Sequence, residues 1–328
     1  MTLHIGMVGT GWFSRKHADH LSKMVGVRVQ SICGTSKEKA DDMAASYEGA
    51  KGYGQIKEML DTEQLDAVYV CVPPMSHGDI ETELIDRNIP FLVEKPLGVD
   101  LNEPKLILSQ MEKTSLITSV GYHFRYKQSV KRLKESIGNQ TIGLVSGQWM
   151  GPMPEVAWWR KQEGSGGQFI EQTTHIFDLL RYVAGEVDEV FAFHANRVNH
   201  KKYDHVTVAD VGTVSFKMKS GVIATISNTC ILPNGISQVG LTLFTDQGII
   251  DWQPDRLSII EPNGSKVEEL GSDNPYIKES EAFLHAVRTG DTSGILSDYR
   301  DAYQTQVVTC AALESALKGV PIKIEHLG

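Results

Sequence analysis

With 328 residues, 41% of them apolar and 22% charged, the sequence has the makeup of an ordinary globular chain and is long enough for two packed domains. The 32 Lys and Arg against 41 Asp and Glu leave a net charge of -9, which works against nucleic acid and anionic membrane surfaces, because both need clustered cations. No apolar run approaches about 20 residues, no export signal opens the chain and no CxxC or His-rich cluster calls for a metal, so a cytoplasmic protein with a small-molecule ligand is expected.

Apolar runs at 3–8, 27–33, 67–72, 91–93 and 117–121 alternate with stretches of helical periodicity, such as Ala40, Met43, Ala44 and Tyr47. Near-continuous apolar strands separated by amphipathic helices predict a doubly wound parallel sheet, covered on both faces, over 1–121. The first run ends in Gly9-Thr10-Gly11-Trp12-Phe13-Ser14, a turn before a predicted helix. In such a turn the first Gly permits a tight reversal, and the second lets a pyrophosphate approach the backbone and the helix N-terminus. Gly9, Gly11, Trp12 and Phe13 are therefore candidate cofactor contacts.

An acid just beyond the second strand would hold the ribose hydroxyls of NAD. The chain instead reads Gly34-Thr35-Ser36-Lys37, a hydroxyl-and-cation set that suits a 2′-phosphate, so NADP is favoured slightly over NAD. Ser36 also stands where it would cap the next helix, and one residue can do both. Two further segments follow strand ends, where ligands bind in open α/β sheets: Pro73-Pro74-Met75-Ser76-His77 and Glu94-Lys95-Pro96.

Beyond residue 121 the rhythm changes to a domain over 122–328. A helix at 127–136 carries Lys127, Lys131, Arg132 and Lys134, which with Arg125 read as a solvated basic face. A Trp- and Gly-rich passage then leads to one helix at 167–184, on which Glu171, His175 and Asp178 fall within about 60° of one another. Runs at 211–218 and 222–230 flank a Lys219-Ser220-Gly221 turn, a hairpin signal, and runs at 241–245, 249–252 and 257–260 continue a meander. This predicts an α+β domain with a large, mostly antiparallel open sheet. Helices at 277–288 and 298–317 cover it or pack back on the first domain.

The order glycine turn, Pro-x-x-x-His, Glu-Lys-Pro, then an acid with His four residues on and Asp three further, resembles the family of glucose-fructose oxidoreductase and inositol dehydrogenase, Gfo/Idh/MocA, over essentially the whole chain. The resemblance implies an NAD(P)-dependent oxidoreductase that moves a hydride between nicotinamide and a sugar, inositol or related polyol. It implies that Lys95 meets both the cofactor ribose and the substrate hydroxyl, that Glu94, Pro73 and His77 lie by the cofactor, and that His175 is the acid/base with Glu171 beside it. His77 also reads simply as a helix N-terminal residue, and Asp178 as a partner of Arg181 or a support for His175. Glu171 departs from the family's usual Asp and is the place where substrate choice is expected to differ. Tyr122, Arg125, Trp158, Arg160 and Asp178 are candidate substrate-side residues, although Trp158 and Arg160 also suit a packing role. The resemblance further implies a homodimer or homotetramer. A non-catalytic cofactor sensor, or a sugar-converting enzyme that recycles bound NAD, is the alternative.

Overall fold

The five apolar runs of the N-terminal third become five of the six strands of a parallel sheet. The computed structural model describes residues 2–271 and 273–325. The chain divides into two compact units, one built from residues up to 98, 102–121 and 276–303, the other from 99–101, 122–275 and residues from 304 on.

In the first unit β1 (Leu3–Val8), α1 (Trp12–Leu21), β2 (Val27–Cys33), α2 (Lys37–Ala44), β3 (Lys51–Tyr53), α3 (Ile56–Thr62), β4 (Ala67–Val70), α4 (Asp79–Asp86), β5 (Phe91–Val93), α5 (Asn102–Met111) and β6 (Thr118–Val120) follow in order. The strands line up as β3-β2-β1-β4-β5-β6, all parallel. The order reverses between β1 and β4, and Cys33, Val8, Val70 and Val93 end their strands in register. Loops after these strands therefore emerge along one edge, the edge where open α/β sheets bind ligands. Val68, Tyr69, Phe91 and Leu92 are fully buried, as expected of strands covered on both faces.

The second unit runs through α6 (Gln128–Ile137), β7 (Ile142–Met150), the short turns α7 (Gln162–Ser165) and α8 (Gln168–Glu171), α9 (Thr174–Ala184), β8 (Val187–Ala195) and α10 (Asn199–Lys202). Strands β9 (Val211–Met218), β10 (Ile223–Thr229), β11 (Gln238–Thr245), β12 (Ile249–Gln253), β13 (Arg256–Glu261) and β14 (Gly264–Glu269) follow, and the expected meander is interrupted because β7 lies between β10 and β11. The expected hairpin is present, with Gly221 at φ +91° between β9 and β10. After α11 (Pro275–Thr289) and α12 (Tyr299–Lys318), β15 (Ile322–Lys323) completes a nine-stranded sheet ordered β14-β13-β12-β11-β7-β10-β9-β8-β15. Only the central pair β7 and β10 is parallel. Helix α9 lies on the inner face, where its Ile176, Phe177, Leu179 and Leu180 are fully buried, each worth roughly 1.5–3 kcal/mol. It approaches closely because β7 has Gly147 beneath it: a Cβ there would lie 3.0 Å from Ile176 Cγ2.

Two further expectations change, and helix α11, for which two placements were open, takes one of them. The helix expected at 167–184 is broken. The Thr173 amide reaches five residues back to the Gln168 carbonyl and the Ile176 amide only three back to Thr173, so Glu171 ends one helical turn and His175 lies in the next helix. The basic face is only partly solvated, because Arg125 and Lys127 are buried and paired with Asp178 and Asp255. Helix α11 belongs to the first unit, where Phe283 and Leu284 join the core of Leu3, Ile5 and Met7.

Candidate active site

In the first unit, the glycine turn takes the geometry its sequence dictates. Gly9 sits at φ +110°, and a Cβ there would fall 2.2 Å from the Cys71 carbonyl oxygen, so β1 and the end of β4 meet backbone to backbone. Gly11 caps α1 without a side chain, and the space a Cβ would enter is open. Ser14, in the third small position, is buried and donates to the Gly9 carbonyl at 2.8 Å, which closes the turn. A bare helix start walled by glycine fits the pyrophosphate of a dinucleotide. Trp12 stands beside it, 73% exposed.

At the end of β2, Ser36 caps α2 by accepting from the Lys39 amide at 3.4 Å. Lys37 is tied to Asp41 at 2.8 and 3.0 Å and to the Gly52 carbonyl at 3.2 Å. The cation standing on Thr35 is Lys39, whose Nζ donates to the threonine hydroxyl at 3.2 Å. After β4, Pro73 precedes a 3-10 turn, Pro74–Ser76, and His77 turns inward to meet Glu81 at 2.6 Å. Burial alone would raise the Glu81 carboxyl, but the His77 ring and the Gly78 amide, 2.7 Å away, hold it below its ordinary value. After β5, Glu94 is buried with Oε1 2.8 Å from His17 Nε2, Lys95 is half-buried, and the Lys95-Pro96 peptide is cis. Lys37, His77 and Glu94 thus face protein partners.

In the second unit, His175 opens α9 inside an aromatic box. Trp149 stacks on its ring at 5.5 Å between centroids and 20° between planes, while His123, Phe124 and Tyr122 stand at 4.9, 5.3 and 6.1 Å. Burial, and secondarily the Asp178 charge, push the Tyr122 phenol well above its ordinary value; its oxygen lies 2.9 Å from Thr174 Oγ1. Arg125 grips Asp178, and Thr305 Oγ1 donates to the same carboxylate at 2.9 Å. The Asp178 carboxylate takes Arg125, and Arg181 binds Glu186 and Thr305. Glu171 accepts from the indole of the buried Trp159 at 2.6 Å. Trp158 packs with Met153, Trp159, Val208 and Cys230, and the Arg160 guanidinium lies over Tyr203 at 4.7 Å.

Trp149 and His17 escape a reading of sequence. Trp149 occupies an inward position of β7, following Val145 and Gly147, but the two glycines and the serine of that strand blur its alternation. His17 has its partner 77 residues away.

Among the described residues, no helix is long and apolar enough to cross a membrane, and no group of three or more His, Cys, Asp or Glu is placed to hold a metal. Residues 3–122 match the Gfo/Idh/MocA description "Oxidoreductase family, NAD-binding Rossmann fold", and 130–251 match the "GFO/IDH/MocA C-terminal domain". The chain is 24% identical to myo-inositol 2-dehydrogenase of Thermotoga maritima, with 99% of each chain covered. It is 24% identical to scyllo-inositol 2-dehydrogenase (NAD(+)) of Bacillus subtilis, over 97% of this chain and 95% of that one. The solved structure of levoglucosan dehydrogenase with NADH and L-sorbose superposes with a TM-score of 0.88 at 17% identity, covering all of both chains. Glycine turn, strand-end loops and matched domains agree: the chain belongs to the Gfo/Idh/MocA family of oxidoreductases with an NAD-binding Rossmann fold.

Proposed function

We propose that this chain is a dehydrogenase that oxidises or reduces a carbinol carbon of a cyclic polyol or sugar with NAD(P). The observation that carries the reading is the setting of His175, a histidine held by ring contacts on a rigid helix, as a proton-transferring group requires. Full-length relatives named as inositol dehydrogenases support the substrate class. The bound dinucleotide supplies or accepts the hydride. Gly9, Gly11 and the start of α1 hold its phosphates, and Lys95 places a cation at the reacting oxygen. His175 takes or returns the hydroxyl proton, and Glu171, aimed by Trp159, accepts from a substrate hydroxyl.

The adenosine end favours NADP in this reading. Residues 33–37 carry no carboxylate, and Thr35, Ser36 and Lys39 supply donors for a 2′-phosphate, whereas Asp41 already occupies Lys37. The outer face of the large sheet supports a homo-oligomer. Ile223, Leu144, Phe244, Ile249 and Ile260 stand in register across five adjacent strands, an apolar stripe that a second copy would cover.

The test is a panel of inositols, sugars and other polyols with NAD and NADP, following nicotinamide absorbance, on the wild type and His175→Asn. Turnover that falls by about 10²–10⁴ in the variant, with cofactor affinity retained, is the expected result. Wild-type silence across the panel, or a fully active variant, would overturn the reading.

A further inference from the structure

Glu94 and Lys95 are neighbours with opposite fates. The carboxylate is buried beneath the strand end while the ammonium side chain is only half-covered. Space for the carboxylate is reserved: a Cβ on Gly121 would lie 2.5 Å from Glu94 Oε2 and 2.8 Å from Oε1. A carboxylate out of water demands a donor, and His17 Nε2 stands 2.8 Å from Oε1 with its own side chain wholly buried. The histidine has little freedom to point elsewhere. Phe13, Tyr69 and Tyr276 press its ring at 5.3, 5.5 and 5.9 Å between centroids, from α1, β4 and α11. Its Nδ1 is buried with no hydrogen-bond partner, so the contact with Glu94 is the polar bond that sets the ring's direction.

Building on the functional reading above, we propose that His17 is a positioning residue for Lys95. By anchoring Glu94 it fixes the backbone from which the lysine projects, and it ties that backbone to the helix that begins at the dinucleotide turn. Packing alone would be served by an apolar side chain of similar volume, and a buried polar pair is weak evidence for added stability. What the pair supplies is one defined location for residue 94, and hence for residue 95. Loss of the bond lets the lysine drift, and a displacement of about 1 Å at a reacting group costs up to about a hundredfold in rate.

The test uses the full chain and compares His17→Leu, His17→Gln, Lys95→Ala and the double variant His17→Leu/Lys95→Ala. Gln carries an N–H near the place of histidine Nε2, whereas Leu carries none. His17→Leu should lower kcat on the order of ten- to a hundredfold with a smaller change in KM, and His17→Gln should restore most of that loss. The decisive readout is coupling: once Lys95 is gone, removing His17 should cost almost nothing further. Wild-type kcat in His17→Leu, or a loss that adds in full to that of Lys95→Ala, overturns the proposal. Should His17→Leu lose its cooperative thermal transition, His17→Asn, too short to reach Glu94, takes its place. Wild-type turnover in the same assay separates the two ideas. Its absence overturns the dehydrogenase reading and this one with it, whereas an active wild type with an unimpaired and uncoupled His17 variant overturns this one alone.

Discussion

Arg125 binds Asp178 through two parallel bonds, Nε to Oδ2 at 2.8 Å and Nη2 to Oδ1 at 2.6 Å, with both side chains almost wholly removed from solvent. Thr305 donates to the same carboxylate, so the pair links the segment after β6 to α9 and α12. Deleting one partner strips the other, buried charge of this bidentate pairing. Arg125→Ala and Asp178→Ala are each expected to cost about 3–5 kcal/mol, read as a lower denaturation midpoint in urea.

Trp159 and Glu171 form a second coupled pair, in which the indole N–H aims the carboxylate. Trp159→Phe keeps most of the ring and removes the donor. The expected loss is about 1.5 kcal/mol of substrate binding, on the order of tenfold in KM with kcat nearly unchanged. Steady-state kinetics on the best polyol of the panel checks it, and a fall in kcat alone would place Glu171 in a different role.

At the adenosine end, Lys39→Ala should weaken NADP on the order of tenfold and leave NAD unchanged, since only NADP presents the 2′-phosphate that a cation on Thr35 would meet. Lys37→Ala, whose lysine serves Asp41, should change neither. Fluorescence titration with both dinucleotides distinguishes the two lysines.

Acid stability has a specific contributor in Glu81. Because its folded-state carboxyl is held below the ordinary 4.5, the ionised group favours the folded chain at higher pH, and that contribution disappears as pH falls below 4.5 through the folded value. Glu81→Gln removes this pH dependence. The variant's stability should therefore decline less steeply than wild type across that window, measured by denaturant titration at a series of pH values.

For the outer sheet face, Leu144→Asp and Phe244→Asp each insert a charge into the apolar stripe, where the parent residues are 43% and 38% exposed. A stable pairing buries about 800 Å² per partner and tolerates no unpaired charge at its centre. Light scattering after size exclusion should show an assembled wild type and dissociated variants with unchanged helical content.

The glycine turn and the Glu94-Lys95-Pro96 loop were legible because each follows from constraints acting over a few residues: positive φ at Gly9, a strand end, an uncapped helix start. The hairpin at Gly221 was legible for the same reason. Strands β3, β7, β8, β14 and β15 were not foreseen, β3 because Lys51-Gly52-Tyr53 offers no apolar run and β7 because glycines interrupt its alternation. Arg125 looked like a member of a solvated face because its partner lies 53 residues on. The break between Glu171 and His175 stayed hidden for a subtler reason: helical periodicity survives a one-residue slip in the hydrogen bonding, while the direction of each side chain does not.

Helix α11 supplies Phe283 and Leu284 to the same apolar cluster as Leu3, Ile5 and Met7, although residues 122–275 come between them in the chain. On a translating ribosome, at about 5–20 residues per second, those intervening residues take on the order of ten to thirty seconds to synthesise. Throughout that interval the nascent N-terminal sheet holds an unfilled groove where two large side chains belong. Chaperone occupancy is therefore expected to peak on this stretch of the emerging chain and to fall once α11 clears the exit tunnel.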